Sequence, residues 1–390
     1  MKWMITEDKL GADQIEVIDE IGKITNQPIW IKGHAGSGKS VLLLHSLADY
    51  IIRNPHANVC VVVFTNALVD LLETGLKQIP KLANKTIPVF TIYRLKNRIG
   101  NGKNRYDAIF CDEVQDLPLS FIRLMKSATN HLIIAGDAEQ SIYNTVPTFN
   151  DRPATSDELH TDIEPIEKSL NVIYRLTESV IKVLKKVFPA LLTDKPNFAK
   201  EDTEISLYEF DSVENEISFC WGEINQTNNM RTSEVVAILI NSHDSIIDFI
   251  NRVLLIEGCE EWERINGNDG KPDYGILNQY LNSNSVPLMY VGNNFGSLKE
   301  ADDKNKIIIM TYHSSKGLDF DYVYLPMVNN NMYIHEPINS LLLVALSRSK
   351  SGLFISYTGS LYSRLYNFLR DIEIKVVQEN DDNNEIGLPF

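Results

Sequence analysis

Gly33-His34-Ala35-Gly36-Ser37-Gly38-Lys39-Ser40 follows a short apolar run at 28–31 and precedes a longer run of helical spacing at 41–52. A strand, a glycine-spaced loop ending in Gly-Lys-Ser and a helix, in that order, predict a phosphate-binding loop. The glycines let successive backbone N–H groups point inward, and the helix N-terminus adds a dipole that favours an anion. At average residue frequencies the pattern arises by chance in about one chain of this length in a hundred. A mere glycine-rich turn is therefore a poor account of it. Lys39 is placed to reach the β and γ phosphates of ATP, and the Ser40 hydroxyl to ligate Mg2+.

The magnesium side needs a carboxylate, and Ala108-Ile109-Phe110-Cys111-Asp112-Glu113 supplies one at the end of a second apolar run. Asp112 is expected to hold the metal through water. Glu113 is expected to polarise the attacking water as general base, which favours hydrolysis over transfer to a substrate hydroxyl.

Around these motifs, β-branched runs alternate with segments of helical period, the pattern of βαβ units on parallel sheets, so the fold class is α/β. Strands are expected at 28–31, 58–64, 88–92, 108–112 and 131–135, and again at 205–210, 235–240, 287–291, 306–310, 322–326 and 353–357. Two series imply two lobes, 1–150 and 151–377, with the polar stretch 150–162 as hinge and 378–390 as an acidic tail. A polar stretch at 257–285 interrupts the second lobe.

The 390 residues, 44% hydrophobic, suffice for two domains with substantial cores. No apolar run approaches the roughly 20 residues that cross a bilayer, and acidic residues break up the first stretch, so the expectation is a cytoplasmic protein with no membrane partner. Cys60, Cys111, Cys220 and Cys259 form no CxxC pair, which argues against a zinc site or a disulfide framework. The net charge of −15 is uneven: residues 1–150 carry 16 Lys and Arg against 15 Asp and Glu, leaving 21 against 37 for the remainder. Within the neutral half, 74–106 holds eight cations and no acid, a stripe that could follow a phosphate backbone or simply be a solvated face.

Further motifs appear in a fixed order. Asp112-Glu113-Val114-Gln115-Asp116 resembles a DEAQD box, and Gly136-Asp137-Ala138-Glu139-Gln140-Ser141-Ile142-Tyr143 a GDxxQSIY segment. Ile173-Tyr174-Arg175 is similar to NYR, residues 311–320 (TYHSSKGLDF) to TxHSAKGLEF, and residues 344–350 (VALSRSK) to VALTRAK. Together with Gln14 they resemble the UvrD/Rep-like branch of superfamily 1 helicases across nearly the whole chain. The resemblance implies two RecA-like lobes with ATP in the cleft between them. It implies Gln140 as γ-phosphate sensor and Arg175 and Arg348 as arginine fingers from the opposite lobe, effective on closure. It also implies Tyr174 stacked on adenine, Gln14 bonded to it, and Gly317 and Asp319 near the nucleotide, Asp319 by the ribose. Nucleic-acid contacts map onto Thr65, Asn66, Thr91, Tyr93, Arg94, Thr311 and His313, where the basic stripe meets the motifs.

Two departures qualify the resemblance. After the GDxxQSIY segment the family's base-stacking Arg-aromatic-Arg is replaced by Asn144-Thr145-Val146-Pro147, and both accessory insertions are missing or vestigial. The expected function is a nucleic-acid-dependent ATPase translocating on single strands, DNA ahead of RNA, with 3′ to 5′ polarity implied by the family. The alternative is an ATP-driven switch module that docks on a protein effector, such as a nuclease of an antiviral system.

Overall fold

Runs such as Val59–Val63, Val236–Ile240 and Ile307–Thr311 are buried at every position, the mark of strands covered on both faces. A computed structural model describes residues 3–377 except 25–26, 35, 101, 103, 138–140, 147–148, 175, 187–194, 197–201, 231–233, 268–269 and 333–337. The first part contains β1 (Ile29–Gly33), β2 (Val59–Val63), β3 (Val89–Thr91), β4 (Tyr106–Cys111), β5 (Thr129–Gly136) and β6 (Ile166–Leu170). Its helices are α1 (Ala12–Ile21), α2 (Lys39–Arg53), α3 (Asn66–Gln78), α4 (Ile92–Ile99), α5 (Leu119–Ala128) and α6 (Ser156–Ile163). A short ladder of β7 (Val172–Ile173) and β8 (Lys195–Pro196) follows, with α7 (Glu178–Lys185) between them. The second part carries β9 (Glu204–Phe210), β10 (Val236–Ile240), β11 (Leu288–Tyr290), β12 (Ile307–Thr311), β13 (Phe320–Leu325), β14 (Ser349–Thr358) and β15 (Ile374–Val377). Its helices are α8 (Val213–Met230), α9 (His243–Ile256), α10 (Tyr274–Ser283), α11 (Leu298–Asp303), α12 (Ile338–Leu346) and α13 (Tyr366–Leu369).

Two parallel sheets result, ordered β3-β2-β4-β5-β1-β6 and β11-β12-β10-β13-β14-β9-β15, so the α/β fold with two RecA-like lobes is as expected. Every one of the eleven expected strands is present. Four described strands were missed: β7 and β8, two residues each, and β6 and β15, which are edge strands of the two large sheets with alternating exposure. An edge strand with a wet face lacks the continuous apolar run that signals a buried one.

β6 corrects the expected boundary at 150/151. It pairs in parallel with β1, Gly33 opposite Leu170, so the first sheet extends to Leu170. The expected hinge at 150–162 instead carries α6, capped by Thr155 and Glu158 and packed on α5. The chain crosses to the second lobe beside the phosphate-binding loop, where the Tyr174 amide donates to the Gly36 carbonyl at 2.9 Å. The tail at 378–390 lies outside the described residues. Among those described, no helix is long and apolar enough to cross a membrane, and the four cysteines are unpaired thiols.

Candidate nucleotide site and interlobe groove

Open α/β sheets place ligands beyond the carboxyl ends of their strands, and here the loops after β1, β4 and β5 of one lobe meet the loop after β12 of the other. In the loop after β1, Gly36 and Gly38 adopt φ of 79° and 83°, a left-handed backbone that glycine enters without penalty. A Cβ on Gly33 would lie 2.4 Å from Ser37 Oγ. Lys39, at the start of α2, donates to the Gly33 and His34 carbonyls at 2.7 and 3.0 Å. His34 Nδ1 sits 3.7 Å from Asp137 Oδ2. Ala35 lies outside the described residues.

Ser40 Oγ donates to Asp112 Oδ2 at 2.5 Å, bringing the two expected metal-holding residues together. Burial, reinforced by the charge of Glu113, pushes the Asp112 carboxyl up to about 6 against the opposing Ser40 hydroxyl and Lys39. A buried carboxylate raised in this way gains from a cation beside it. One carboxylate and one hydroxyl suit Mg2+, which keeps waters and phosphate oxygens as its other ligands. No cluster of three His, Cys, Asp or Glu side chains among the described residues offers another metal a site.

Glu113 follows in a left-handed conformation, φ 56° and ψ 43°, which costs a non-glycine residue about 1–3 kcal/mol and is found where function demands it. The Gln115 amide donates to Glu113 Oε2, while Gln115 Oε1 accepts from the Asp137 amide at 3.1 Å. Burial alone would raise Glu113, but Lys316, Lys39, the Gln115 amide and Arg348 together hold it below the ordinary glutamate range. Glu113 is therefore ionised and able to accept a proton.

Two of these charges come from the second lobe. Lys316 Nζ pairs with Asp116 Oδ2 at 2.7 Å, both side chains almost fully buried. Burial lifts Asp116 to about 6 even though Lys316 opposes it. Gly317 follows at φ 75°, so close that an added Cβ would lie 3.2 Å from Glu113 Oε1 and 2.7 Å from Leu68 Cδ2. Half-buried Asp319 lies on the same loop. Arg348 is buried and its guanidinium donates to Val344 O, Leu318 O and Ser347 Oγ at 2.9, 3.0 and 2.7 Å. Arg348 thus makes these hydrogen bonds within its own lobe, its charge near enough to help lower Glu113, while Gln140 and Arg175 lie outside the described residues.

The expected adenine residues collect on the other flank of the loop. Gln14 accepts from the Gly11 amide at 3.1 Å and approaches Ser37 O at 3.4 Å, so in this state its amide braces the loop. Tyr174 donates to Asp13 Oδ1 at 2.5 Å.

All seven expected nucleic-acid residues line two adjoining cavities between the lobes. Thr65, Asn66, Tyr93, Thr311 and His313 border one of about 820 Å3. Asn66, Thr91, Tyr93 and Arg94 border a second of about 510 Å3. The Thr65 and Thr91 hydroxyls cap α3 and α4, and Asn66 bonds across the groove to Asn294. Beside the expected Tyr93 and His313, the groove has an aromatic stack the sequence reading missed: Phe64 lies on Tyr143 with centroids 4.6 Å apart, Tyr93 being 6.3 Å from Phe64 and His313 6.2 Å from Tyr143. Its signal was Phe64 at the carboxyl end of a buried strand, next to Thr65. The basic stripe, by contrast, scatters. Of its described members only Arg94 borders the cavities; Lys81 pairs with Glu7, and Lys96 and Arg98 lie over the Phe149 and Phe90 rings.

Residues 14–146 match the AAA domain family, and residues 287–360 match the UvrD-like helicase C-terminal domain. No curated protein matches the chain. The two matches fall on separate lobes and in the order of the motifs, with one nucleotide loop and its facing lysine and arginine between them; the chain belongs to the UvrD/Rep-like family of superfamily 1 helicases.

Proposed function

We propose that this chain is a nucleic-acid-dependent ATPase that translocates along single strands, DNA ahead of RNA, with the 3′ to 5′ polarity its family implies. One observation carries the reading: the loop after β12 borders the interlobe groove through Thr311 and His313 and, three residues on, pairs with Asp116 and packs on Glu113 through Lys316 and Gly317. A strand that moves one end of this loop moves the other against the general base.

In this reading Lys39 and the amides of Gly33 through Ser40, with His34, Ala35, Gly36, Ser37 and Gly38, grip the phosphates. Ser40 and Asp112 would hold Mg2+, which when bound neutralises phosphate charge. Glu113 takes the proton of the attacking water, Gln140 senses the γ phosphate, and Arg348 with Arg175 offsets the charge that builds up in the transition state. Gln14 and Tyr174 hold the base, and Asp319 with Gly317 flanks the ribose.

A second reading, an ATP-driven switch docked on a protein effector, draws on the exposed apolar side chains of Leu255, Ile256, Ile265 and Ile276 flanking the short segment that stands in place of the family's large insertion. Steady-state ATPase with and without single- and double-stranded DNA and RNA separates the two. The translocase reading expects turnover to rise many-fold with single strands at low salt; turnover indifferent to every strand overturns it and leaves the switch.

A further inference from the structure

Between 257 and 273, in a stretch that none of the family motifs includes, two described limbs, 264–267 and 270–273, pair antiparallel. Asn266 bridges Pro272, the Gly267 amide donates to Lys271 O and the Asp273 amide to Ile265 O, each at 2.8 Å. Both ends are anchored. Before it, buried Trp262 exchanges hydrogen bonds with the Asn251 side chain of α9 at 3.0 and 3.3 Å. After it, Asp273 caps α10 by accepting from the Gly275 and Ile276 amides. The described limbs, 264–267 and 270–273, are therefore a fixed wall, and Arg264, Gly270, Lys271 and Pro272 border the 820 Å3 cavity opposite Phe64, Tyr93 and Tyr143.

The two walls differ in chemistry. The first lobe offers rings; the second offers cations among the amide and hydroxyl side chains of Asn241, Ser242 and Asn293. Burial first, and then the charges of Lys271, His313 and Arg264 against the opposing Asp244, suppress protonation of His243, so both cations reach this part of the cavity with Asp244 beside them. Arg264 is paired with Asp244 at 2.5 Å, but that carboxylate is 82% exposed, and an exposed pair of this kind contributes at most about 1 kcal/mol. Phosphate can replace it at little cost.

We propose that the limbs 264–267 and 270–273 form a phosphate-guiding wall: Arg264 and Lys271 hold the backbone of a single strand while its bases face the aromatic wall of Phe64, Tyr93 and Tyr143. This rests on the single-strand reading above and adds an orientation of the strand to it. Among the described residues, Arg94, Arg264 and Lys271 are the lysine and arginine side chains bordering the two cavities. At about 0.7 salt-slope units per neutralised phosphate of a single strand, three contacts predict a log–log slope near −2.

The experiment is fluorescence anisotropy of the full chain with labelled oligo(dT) and oligo(U) across a salt series. The double variant Arg264→Ala/Lys271→Ala should lower the slope by about 1.4 and weaken binding about 25-fold at 0.1 M salt. Arg264→Lys/Lys271→Arg should keep the slope. Asp244→Asn, which releases Arg264 from its partner, should tighten binding by a few-fold, a gain no misfolded variant gives. Tyr93→Leu should weaken binding at an unchanged slope. If the wild type binds no single strand, the function reading fails and the wall with it. If it binds but the double-alanine variant keeps both affinity and slope, or Asp244→Asn weakens binding, the wall alone is overturned.

Discussion

The buried pair of Lys316 and Asp116 joins the two lobes directly behind Glu113, the proposed general base, and its removal tests whether closure and hydrolysis are one event. Breaking a buried ion pair by deleting one partner costs about 3–5 kcal/mol, because the remaining charge is left uncompensated. In Lys316→Met that charge is Asp116, whose carboxyl already stands at about 6, so uptake of a proton near neutral pH limits the cost to the lower end, about 3 kcal/mol. Each lobe alone can escape the penalty by parting and hydrating its own residue. The loss therefore falls on closure rather than on folding, and about 3 kcal/mol corresponds to roughly 150-fold. Lys316 also helps hold Glu113 ionised, so the single variant mixes two effects. A double-mutant cycle with Asp116→Asn separates them, since the effect on Glu113 is common to both Lys316 variants. Measured as kcat for ATP, the cycle should return a coupling energy near 3 kcal/mol, the double variant recovering much of the activity lost by Lys316→Met, with melting temperatures little changed. Additive losses, with coupling below about 0.5 kcal/mol, would refute the claim that this pair holds the lobes in the hydrolysing state.

Three other outcomes follow from the geometry. Glu113→Gln should bind ATP with near wild-type affinity and slow turnover by about 10²–10⁴-fold; single-turnover hydrolysis at the wild-type rate would remove Glu113 as the base. Gly317→Ala places a Cβ 2.7 Å from Leu68 Cδ2 at φ 75°, and a left-handed alanine costs about 1–2 kcal/mol before any clash, so kcat should fall at least about tenfold while ATP affinity of the first lobe is retained; an unchanged kcat would show that the loop need not press on Glu113. Burial, assisted by Lys271, His313 and Arg264 against the opposing Asp244, lowers His243 from 6.5 to about 4. The fold thus favours neutral imidazole, and below pH 6.5 the unfolded chain takes up a proton the folded chain refuses. Stability should decline as pH falls from about 6.5 toward 4, and His243→Asn should flatten that part of the profile in urea melts; an identical pH profile would contradict the assignment.

Much of this was legible without coordinates because it depends on local covalent order. A phosphate loop needs glycines at fixed offsets between a strand and a helix, so the stretch from Gly33 to Ser40 announced itself, and buried parallel strands need apolar runs, so eleven of them could be placed. Two glutamines illustrate a finer limit. Gln14 was expected to face adenine and in this state braces Ser37 O, while Gln115, assigned no role, links Glu113 to the Asp137 amide.

Contacts between residues far apart in the chain had no local signature. β6 was hidden because an edge strand with one wet face carries only half the hydrophobic pattern, and only its pairing with β1 reveals it. The eight cations between Thr74 and Tyr106 looked like one face in a linear reading, yet the described ones find different surroundings, Lys81 at Glu7, Lys85 at Pro55 O and Arg98 over Phe90, and among them only Arg94 reaches the cavities. The order of the motifs determined that two lobes would bring phosphate loop, carboxylates and arginine together. Tertiary packing alone decided that Lys316 would lie on Asp116, that Gly317 would lean on Glu113, and that two short antiparallel limbs would face an aromatic wall, because each joins surfaces of different lobes whose approach no periodicity encodes.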